Sequence, residues 1–220
     1  MNTFFCRAFQ CCFAVGARFL PWRTPEVFSG EGSLLRAADI LRENGLRRPF
    51  VIASRRQCAD EHFRALQEKL DEQDILLSIF SSVEPNPSVE TVEKIAAQYK
   101  IDSCDCFLVI GGGSPMDAAK AAAARLARPD KPLSQLAGLL KVPRRIPPLI
   151  AVPTTAGTGS ETTIAAVVTG SDHHKYAISD LCLIPRYAIL DPALTVGLPP
   201  HITADPGLDA LAHAGKSKRT

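Results

Sequence analysis

The chain has 220 residues, of which 46% are hydrophobic and 22% are charged, and its formal net charge is +2. A chain of this length buries a sizeable core, in one large domain or slightly more. So small a net charge gives no electrostatic footprint for nucleic acid, and we predict no nucleic-acid partner. The seven cysteines are odd in number and lack the C-x-x-C spacing of zinc and redox sites, which favours reduced thiols in a cytoplasmic protein.

Residues 1–20 are rich in apolar side chains but do not form a secretory signal. Arg7 and Arg18 interrupt the stretch, and no long apolar run precedes a small-residue cleavage site. An amphipathic helix is predicted instead, because apolar side chains recur at helical spacing, at Phe5, Phe9, Cys12 and Phe13. Such a helix either packs on the body of the domain or lies on a membrane surface. No segment approaches the roughly 20 apolar residues of a transmembrane helix, so no membrane span is predicted.

From residue 30 onwards, predicted helices and strands alternate. Gly30-Glu31-Gly32-Ser33 forms a turn. The spacing of apolar residues, the helix-capping residues and the glycines and prolines that end helices together predict helices over residues 34–43, 60–72, 88–99 and 115–127. Short apolar runs predict strands at residues 50–53, 76–80, 107–110 and 149–152. This alternation is typical of an α/β fold, with a parallel sheet and helices on both of its faces.

Two polar, glycine-containing loops leave the last two predicted strands at the same edge of this sheet. They are residues 111–117, here called the glycine loop, and residues 154–163, the hydroxyl loop. In parallel sheets, ligands bind at the carboxyl ends of the strands. Hydroxyl groups donate hydrogen bonds to phosphate or ribose, and glycines let a ligand approach the backbone. The two loops together predict a ligand site, while a capped turn that opens a helix is the alternative for the hydroxyl loop.

The glycine loop suits a phosphate group. Ser114 is predicted to cap a helix that begins at Pro115, and Asp117 completes a capping box. Free backbone N–H groups and the positive end of the helix dipole then face one point, as a pyrophosphate requires. The loop matches neither the G-x-G-x-x-G fingerprint nor a Walker loop. A strand-to-helix turn without a ligand remains the alternative.

Taken together, the motifs of this chain resemble the iron-containing (group III) alcohol dehydrogenase family. The resemblance implies an α/β, Rossmann-like, doubly wound domain followed by an all-helical metal-binding domain. The motifs occur in the family's order, at Phe19-Leu20-Pro21, 30–33, 83–87, 111–120, 153–161, Lys175-Tyr176-Ala177, Ile189-Leu190-Asp191-Pro192, Leu198-Pro199-Pro200 and 209–214.

The resemblance also implies a function and a set of site residues. The activity is reversible hydride transfer between a small alcohol, or its aldehyde or ketone, and NAD or NADP, with Fe²⁺ or Zn²⁺ polarising the substrate oxygen. Asp209 and His213 are implied as the first two metal ligands, and their spacing of four places both on one face of a helix. The implied nucleotide contacts are Asn86, Gly112, Gly113, Ser114, Asp117, Thr154, Thr155, Ser160 and Lys175.

The sequence departs from the family at its end. It stops seven residues after His213, whereas the family supplies two further histidines from a later helical domain, and a catalytic site needs at least three protein ligands. We therefore predict a chain truncated after the first metal-ligand motif. Its divisions are an amphipathic helix and lead-in over residues 1–28, a Rossmann-like NAD(P)-binding domain over 29–195, and the start of the helical domain over 196–220.

Two other functions are kept as alternatives to an active dehydrogenase. One is a catalytically inactive nucleotide-binding module of the same family, and the other is a membrane-associated interaction protein that uses residues 1–20. A missing helical domain would also expose an apolar surface, which predicts association into a homo-oligomer.

A second departure concerns the choice between NAD and NADP. Many family members have an Asp near the end of the strand that here runs into Ser54, and that acid binds the ribose diol of NAD. Here Ser54 is followed by Arg55 and Arg56, and guanidinium groups bind a 2′-phosphate well. We predict a preference for NADP, the alternative being that both arginines face solvent.

Overall fold

The computed structural model describes residues 22–142, 145–170 and 172–217, so the helix predicted within residues 1–20 lies outside the described part. The strands are β1 Glu26–Ser29, β2 Pro49–Ala53, β3 Ser78–Phe80, β4 Cys106–Gly111, β5 Gly138–Leu139, β6 Leu149–Pro153, β7 Ala165–Thr169, β8 Lys175–Ser179 and β9 Tyr187–Leu190. The α-helices are α1 Arg36–Glu43, α2 Arg55–Cys58, α3 Glu61–Asp71, α4 Val89–Ile101, α5 Gly113–Ala127, α6 Leu133–Leu136, α7 Ala193–Val196 and α8 Pro200–Ser217. Two 3₁₀ turns lie at Ser33–Leu35 and Leu181–Leu183. None of these described helices has the length and hydropathy that crossing a membrane requires.

Six strands form one sheet in the order β1-β9-β6-β4-β2-β3, and every neighbouring pair in it is parallel. The chain runs outwards from β2 to β3 and then returns to the other side of β2 with β4. The strand order therefore reverses between β2 and β4, which is the position where open α/β sheets bind ligands. The predicted parallel α/β sheet is confirmed, and the four predicted strands are four of its six.

Alternate residues of the central strands face two separate apolar layers. Phe50 and Ile52 of β2 pack in the layer that contains α4 and α5, while Val51 and Ala53 pack in the layer that contains α1 and α3. This is the pattern of a strand buried on both faces. Helix α5 lies close to the sheet because its buried face consists mostly of alanine, at positions 118, 119 and 121–124.

A second sheet was not predicted from the sequence. It has three strands in the order β5-β8-β7, with β7 and β8 antiparallel, and it packs against α5. Its strands have two to five residues with partly exposed faces, so their apolar pattern is weak. The edge strand β1 and its neighbour β9 in the main sheet were also missed. The first of these, Glu26–Ser29, begins the sheet at residue 26.

Candidate functional site

The glycine loop and the hydroxyl loop lie side by side because their strands are neighbours. Gly111, the last residue of β4, is in register with Pro153, the last residue of β6. The N–H of Thr154 donates to the carbonyl oxygen of Gly111 at 3.1 Å, which continues the strand pairing into the loops. The structure thus brings together the two segments whose shared edge the sequence predicts.

The predicted cap of the helix after the glycine loop is wrong. Helix α5 begins at Gly113, two residues earlier than expected. Its N-cap is Gly112, and no side chain in the described ranges caps it. Ser114 therefore lies inside the first turn, where its Oγ accepts the N–H of Asn86 at 3.2 Å. Asp117 completes no capping box. A helix whose first turn is not capped by a side chain leaves backbone N–H groups for a ligand.

Gly112 and Thr155 form a close contact between the two loops. A Cβ atom added at Gly112 would lie 3.0 Å from Thr155 Oγ1 and 3.3 Å from Thr155 Cγ2. Thr155 Oγ1 is buried and has no hydrogen-bond partner among the described residues. A buried hydroxyl without a partner costs free energy. An acceptor oxygen bound here, at the start of α5, would remove that cost, so the loops fit the phosphate of a nucleotide.

Asn86 joins three segments at the far end of the glycine loop. Its backbone N–H reaches Ser114, its Oδ1 accepts from Lys175 Nζ at 2.6 Å, and its carbonyl oxygen accepts from Thr169 Oγ1 at 3.2 Å. Asn86 has a left-handed φ of 57°, which Asn tolerates better than most residues. Lys175 opens β8, so the small second sheet places an ammonium group beside the glycine loop.

The turn that carries Asn86 is fixed by Glu84. The Oε1 atom of Glu84 accepts the N–H of Ser88 at 3.0 Å, the Ser88 hydroxyl at 2.8 Å and the Thr91 hydroxyl at 2.7 Å. Although burial alone would raise the pKa of Glu84, these hydrogen bonds lower it to about 2. The carboxylate thereby holds the segment before α4 in place.

A cavity of about 500 Å³ opens where the strand order reverses. Its lining includes Ser54 after β2, Ile110 near the end of β4 and Thr154 after β6. Gln57 joins the two, because its Nε2 donates to Thr154 Oγ1 at 2.9 Å and it forms a capping box with Ser54. Sequence reasoning missed Gln57, although Ser-x-x-Gln after a strand is a capping-box signal.

The rim of this cavity carries charged side chains. Arg56 is exposed, and its Nη2 donates to the carbonyl oxygen of Gly197 at 3.0 Å. Asp60 Oδ1 accepts from His62 Nδ1 at 2.8 Å and from the His62 backbone N–H at 2.9 Å, so that carboxylate caps α3. The hydrogen bond with Asp60 raises the pKa of His62. Burial alone would raise the pKa of Asp60, but its hydrogen bonds with His62 and the charges of His62 and Arg56 lower it. Arg56 thus supplies a cation at the rim of the cavity.

The remaining predicted contacts lie behind the glycine loop. Ser160 Oγ would lie 3.7 Å from a Cβ added at Gly113, so the hydroxyl loop also covers the start of α5. Burial raises the pKa of Asp117 to about 6, although a hydrogen bond from the Val167 N–H and the charge of Lys120 oppose the rise. The carboxyl group of Asp117 is therefore engaged with β7.

The two predicted metal-ligand positions, 209 and 213, both lie on α8. Their spacing of four places them on one face of that helix. No group of three or more His, Cys, Asp or Glu side chains that could hold a metal ion occurs among the described residues. The described part of the chain therefore does not provide a complete metal centre, which needs at least three protein ligands.

The family model described as iron-containing alcohol dehydrogenase matches residues 24–192. The chain is 43% identical over 150 residues to the choline dehydrogenase of Bacillus subtilis (strain 168), covering 67% of this chain and 37% of that protein. A 1,3-propanediol oxidoreductase structure superposes with a TM-score of 0.83 and 31% identity, covering 90% of this chain and 52% of the other. A sulfoacetaldehyde reductase of Bifidobacterium kashiwanohense, in complex with NAD⁺, gives a TM-score of 0.75 and 32% identity, covering 89% and 52%. The chain thus spans about half, or less, of the length of these relatives.

The hydrogen bonds of Glu84 predict a pH-dependent contribution to stability. Because its pKa in the folded chain lies below the ordinary 4.5, at about 2, the contribution is present above pH 4.5 and is lost as the pH falls towards 2. We expect Glu84→Gln to lower the Tm at pH 6, and this difference from the unsubstituted chain to shrink steadily below pH 4.5. Thermal unfolding followed by circular dichroism measures it. Glu90→Gln, at an exposed position of α4, is the control, and a Glu84→Gln difference that is constant down to pH 3 would contradict the prediction.

Proposed function

Because the chain belongs to the iron-containing alcohol dehydrogenase family, we propose that it binds NAD or NADP and forms the nucleotide half of an oxidoreductase. The reaction is the interconversion of a small alcohol and its aldehyde or ketone. One observation carries the nucleotide site: the buried Thr155 hydroxyl has no hydrogen-bond partner within the described part of the chain, and it lies 3.0 Å from where a Gly112 side chain would begin. When bound, the nicotinamide accepts or supplies hydride, and the protein's residues bind and orient it.

The pyrophosphate of the nucleotide is proposed to bind at the start of α5. The backbone N–H groups of Gly113 and Ser114 and the positive end of the helix dipole favour negative charge there. The Thr155 hydroxyl donates to the same group from the neighbouring loop. Lys175 Nζ, held by Asn86 Oδ1 at 2.6 Å, adds a positive charge at the other end of the glycine loop. Asp117, Thr154 and Ser160 remain predicted contacts.

The adenosine half of the nucleotide is proposed to occupy the cavity beside Ser54. Gln57 and Thr154 present amide and hydroxyl groups there, and Arg56 supplies a cation at the rim. Position 54 carries a hydroxyl rather than a carboxylate, so no acid at that point repels a 2′-phosphate. These features support a preference for NADP, with Arg56 as the residue that recognises the 2′-phosphate.

A catalytically inactive nucleotide-binding module is the second candidate. The observation that favours it is the absence of a cluster of three metal ligands from the described residues. It shares the nucleotide site with the first candidate but predicts no turnover of alcohols or aldehydes by the chain alone, with Fe²⁺ or Zn²⁺ added. We retain Asp209 and His213 as two proposed metal ligands. We also retain the proposed division into residues 1–28, 29–195 and 196–220.

Filling the space at Gly112 should weaken nucleotide binding. In Gly112→Val the new side chain contacts Thr155 at the atoms nearest the proposed phosphate. The phosphate can then no longer approach the backbone closely, so we expect the Kd for NADPH to rise at least about tenfold. Fluorescence titration of the full chain with NADPH measures the Kd. Gly215→Val is the matched control, since a Cβ there meets no atom of the described residues within 4 Å. An unchanged Kd in a folded Gly112→Val chain would refute the site.

The proposed role of Arg56 predicts a change that depends on the 2′-phosphate. Arg56→Gln should raise the Kd for NADPH about five- to tenfold, because one charge-assisted contact is lost, and leave the Kd for NADH nearly unchanged. Both constants come from parallel titrations of the same preparations. Arg64→Gln, at an exposed position of α3, serves as the charge-matched control. Tighter binding of NADH than of NADPH by the unsubstituted chain would overturn the proposed preference.

A further inference from the structure

Lys120 is a fully buried lysine inside the alanine-rich helix α5. The residue is 1% exposed. Its ammonium group donates to oxygen atoms of two residues in the hydroxyl loop, and to the carbonyl oxygen of the first residue of β7. The acceptors are the carbonyl oxygens of Ser160 at 2.6 Å, Thr163 at 2.7 Å and Ala165 at 3.2 Å, and the Thr163 hydroxyl at 2.9 Å. Lysine is almost never fully buried unless its charge is compensated, and here these oxygen atoms surround the ammonium group.

These contacts fix the position of the hydroxyl loop relative to the glycine loop. Lys120 lies two turns along α5 from Gly113, where the helix begins, so the ammonium group and the glycine loop belong to one rigid element. The residues it holds, Ser160 and Thr163, lie in the loop that also presents Thr155 to Gly112. The buried ammonium group of Lys120 therefore connects α5, which begins in the glycine loop, to the hydroxyl loop.

We propose that Lys120 is a positioning residue, which holds the hydroxyl loop against the glycine loop in the arrangement that binds the nucleotide pyrophosphate. The inference rests on the proposed nucleotide site and adds to it a residue that does not touch the ligand. Without the ammonium group, three carbonyl oxygens lose a buried donor, and the loop moves to regain hydrogen bonds with water. Thr155 then leaves its place beside Gly112.

The pH dependence follows from the groups that face Lys120. Burial lowers its pKa to about 8, and the negative charges of Asp117 on the same helix and Glu161 in the hydroxyl loop oppose the fall. As the pH rises through about 8, the ammonium group loses its proton and the affinity for nucleotide falls. Stability changes in the opposite sense: the unfolded lysine keeps its proton up to its ordinary pKa of 10.5, so this group's contribution to stability rises with pH between 8 and 10.5.

The experiment is a titration of the full 220-residue chain with NADH at pH 7 and pH 9, followed by nucleotide fluorescence. NADH is the probe because it lacks the 2′-phosphate, which titrates on its own. The unsubstituted chain should bind about fivefold more weakly at pH 9, since a group with a pKa near 8 is then about one-tenth protonated. Lys120→Met should bind about tenfold more weakly at pH 7 and show no further loss at pH 9.

Two further variants separate positioning from general stability. Lys94→Met, at an exposed position of α4, should match the unsubstituted chain at both pH values. Thr163→Val keeps the lysine and removes one of its acceptors, and should raise the Kd about twofold. If Lys120→Met fails to fold, the pH profile of the unsubstituted chain and the Thr163→Val variant decide the question.

The outcomes distinguish this inference from the proposed function. If the unsubstituted chain binds neither NADH nor NADPH, the nucleotide site fails and the role of Lys120 fails with it. If the unsubstituted chain binds NADH equally at both pH values, and Lys120→Met or Thr163→Val matches it, the positioning role is overturned while the nucleotide site stands.

Discussion

The structure of the candidate site depends on one constraint, the register between β4 and β6. Gly111 pairs with Pro153, and the Thr154 N–H donates to the Gly111 carbonyl oxygen at 3.1 Å. This pairing makes the two loops leave the sheet together, so Gly112 and Thr155 meet. A shift of one residue would exchange the faces of β6, moving Ile150 and Val152 out of the layer in which they are buried. The apolar core therefore enforces the geometry of the polar site above it.

Several hydrogen bonds between residues far apart in the sequence also position the loops of the site. Asn86 joins the glycine loop to β8 through Ser114 and Lys175, and Gln57 joins the end of β2 to the end of β6. At the base of the site, Lys120 holds the hydroxyl loop to α5. The main sheet supplies the position of the site, while individual buried or charged side chains supply its detailed shape.

The sequence was informative where local patterns determine structure. The apolar strand before Gly111 and the glycine-rich turn from that strand into a helix were predicted correctly, because a strand buried on both faces and a glycine-rich turn have strong local signals. The turn is shorter than predicted, because the helix already begins at Gly113. The cap at Ser114 was predicted wrongly, because its hydroxyl binds Asn86, 28 residues earlier in the chain. Gln57 and Thr154 are 97 residues apart in the sequence. The capping box of Gln57 with Ser54 could therefore be predicted from the sequence, whereas its contact with Thr154 could not. The small second sheet has strands too short and too exposed to be recognised from the sequence.

The central claim, that the glycine and hydroxyl loops together bind the pyrophosphate of a nucleotide, is tested most directly by hydrogen exchange of the full chain with and without saturating NADPH. Exchange should slow at backbone amides of residues 112–114 and 116, and of residues 154–163. Residues 95–101 in the second half of α4, at the opposite end of the strands, should exchange at the same rate in both samples. Bound NADPH that leaves both loops unchanged, or that protects a different part of the chain, would contradict the account.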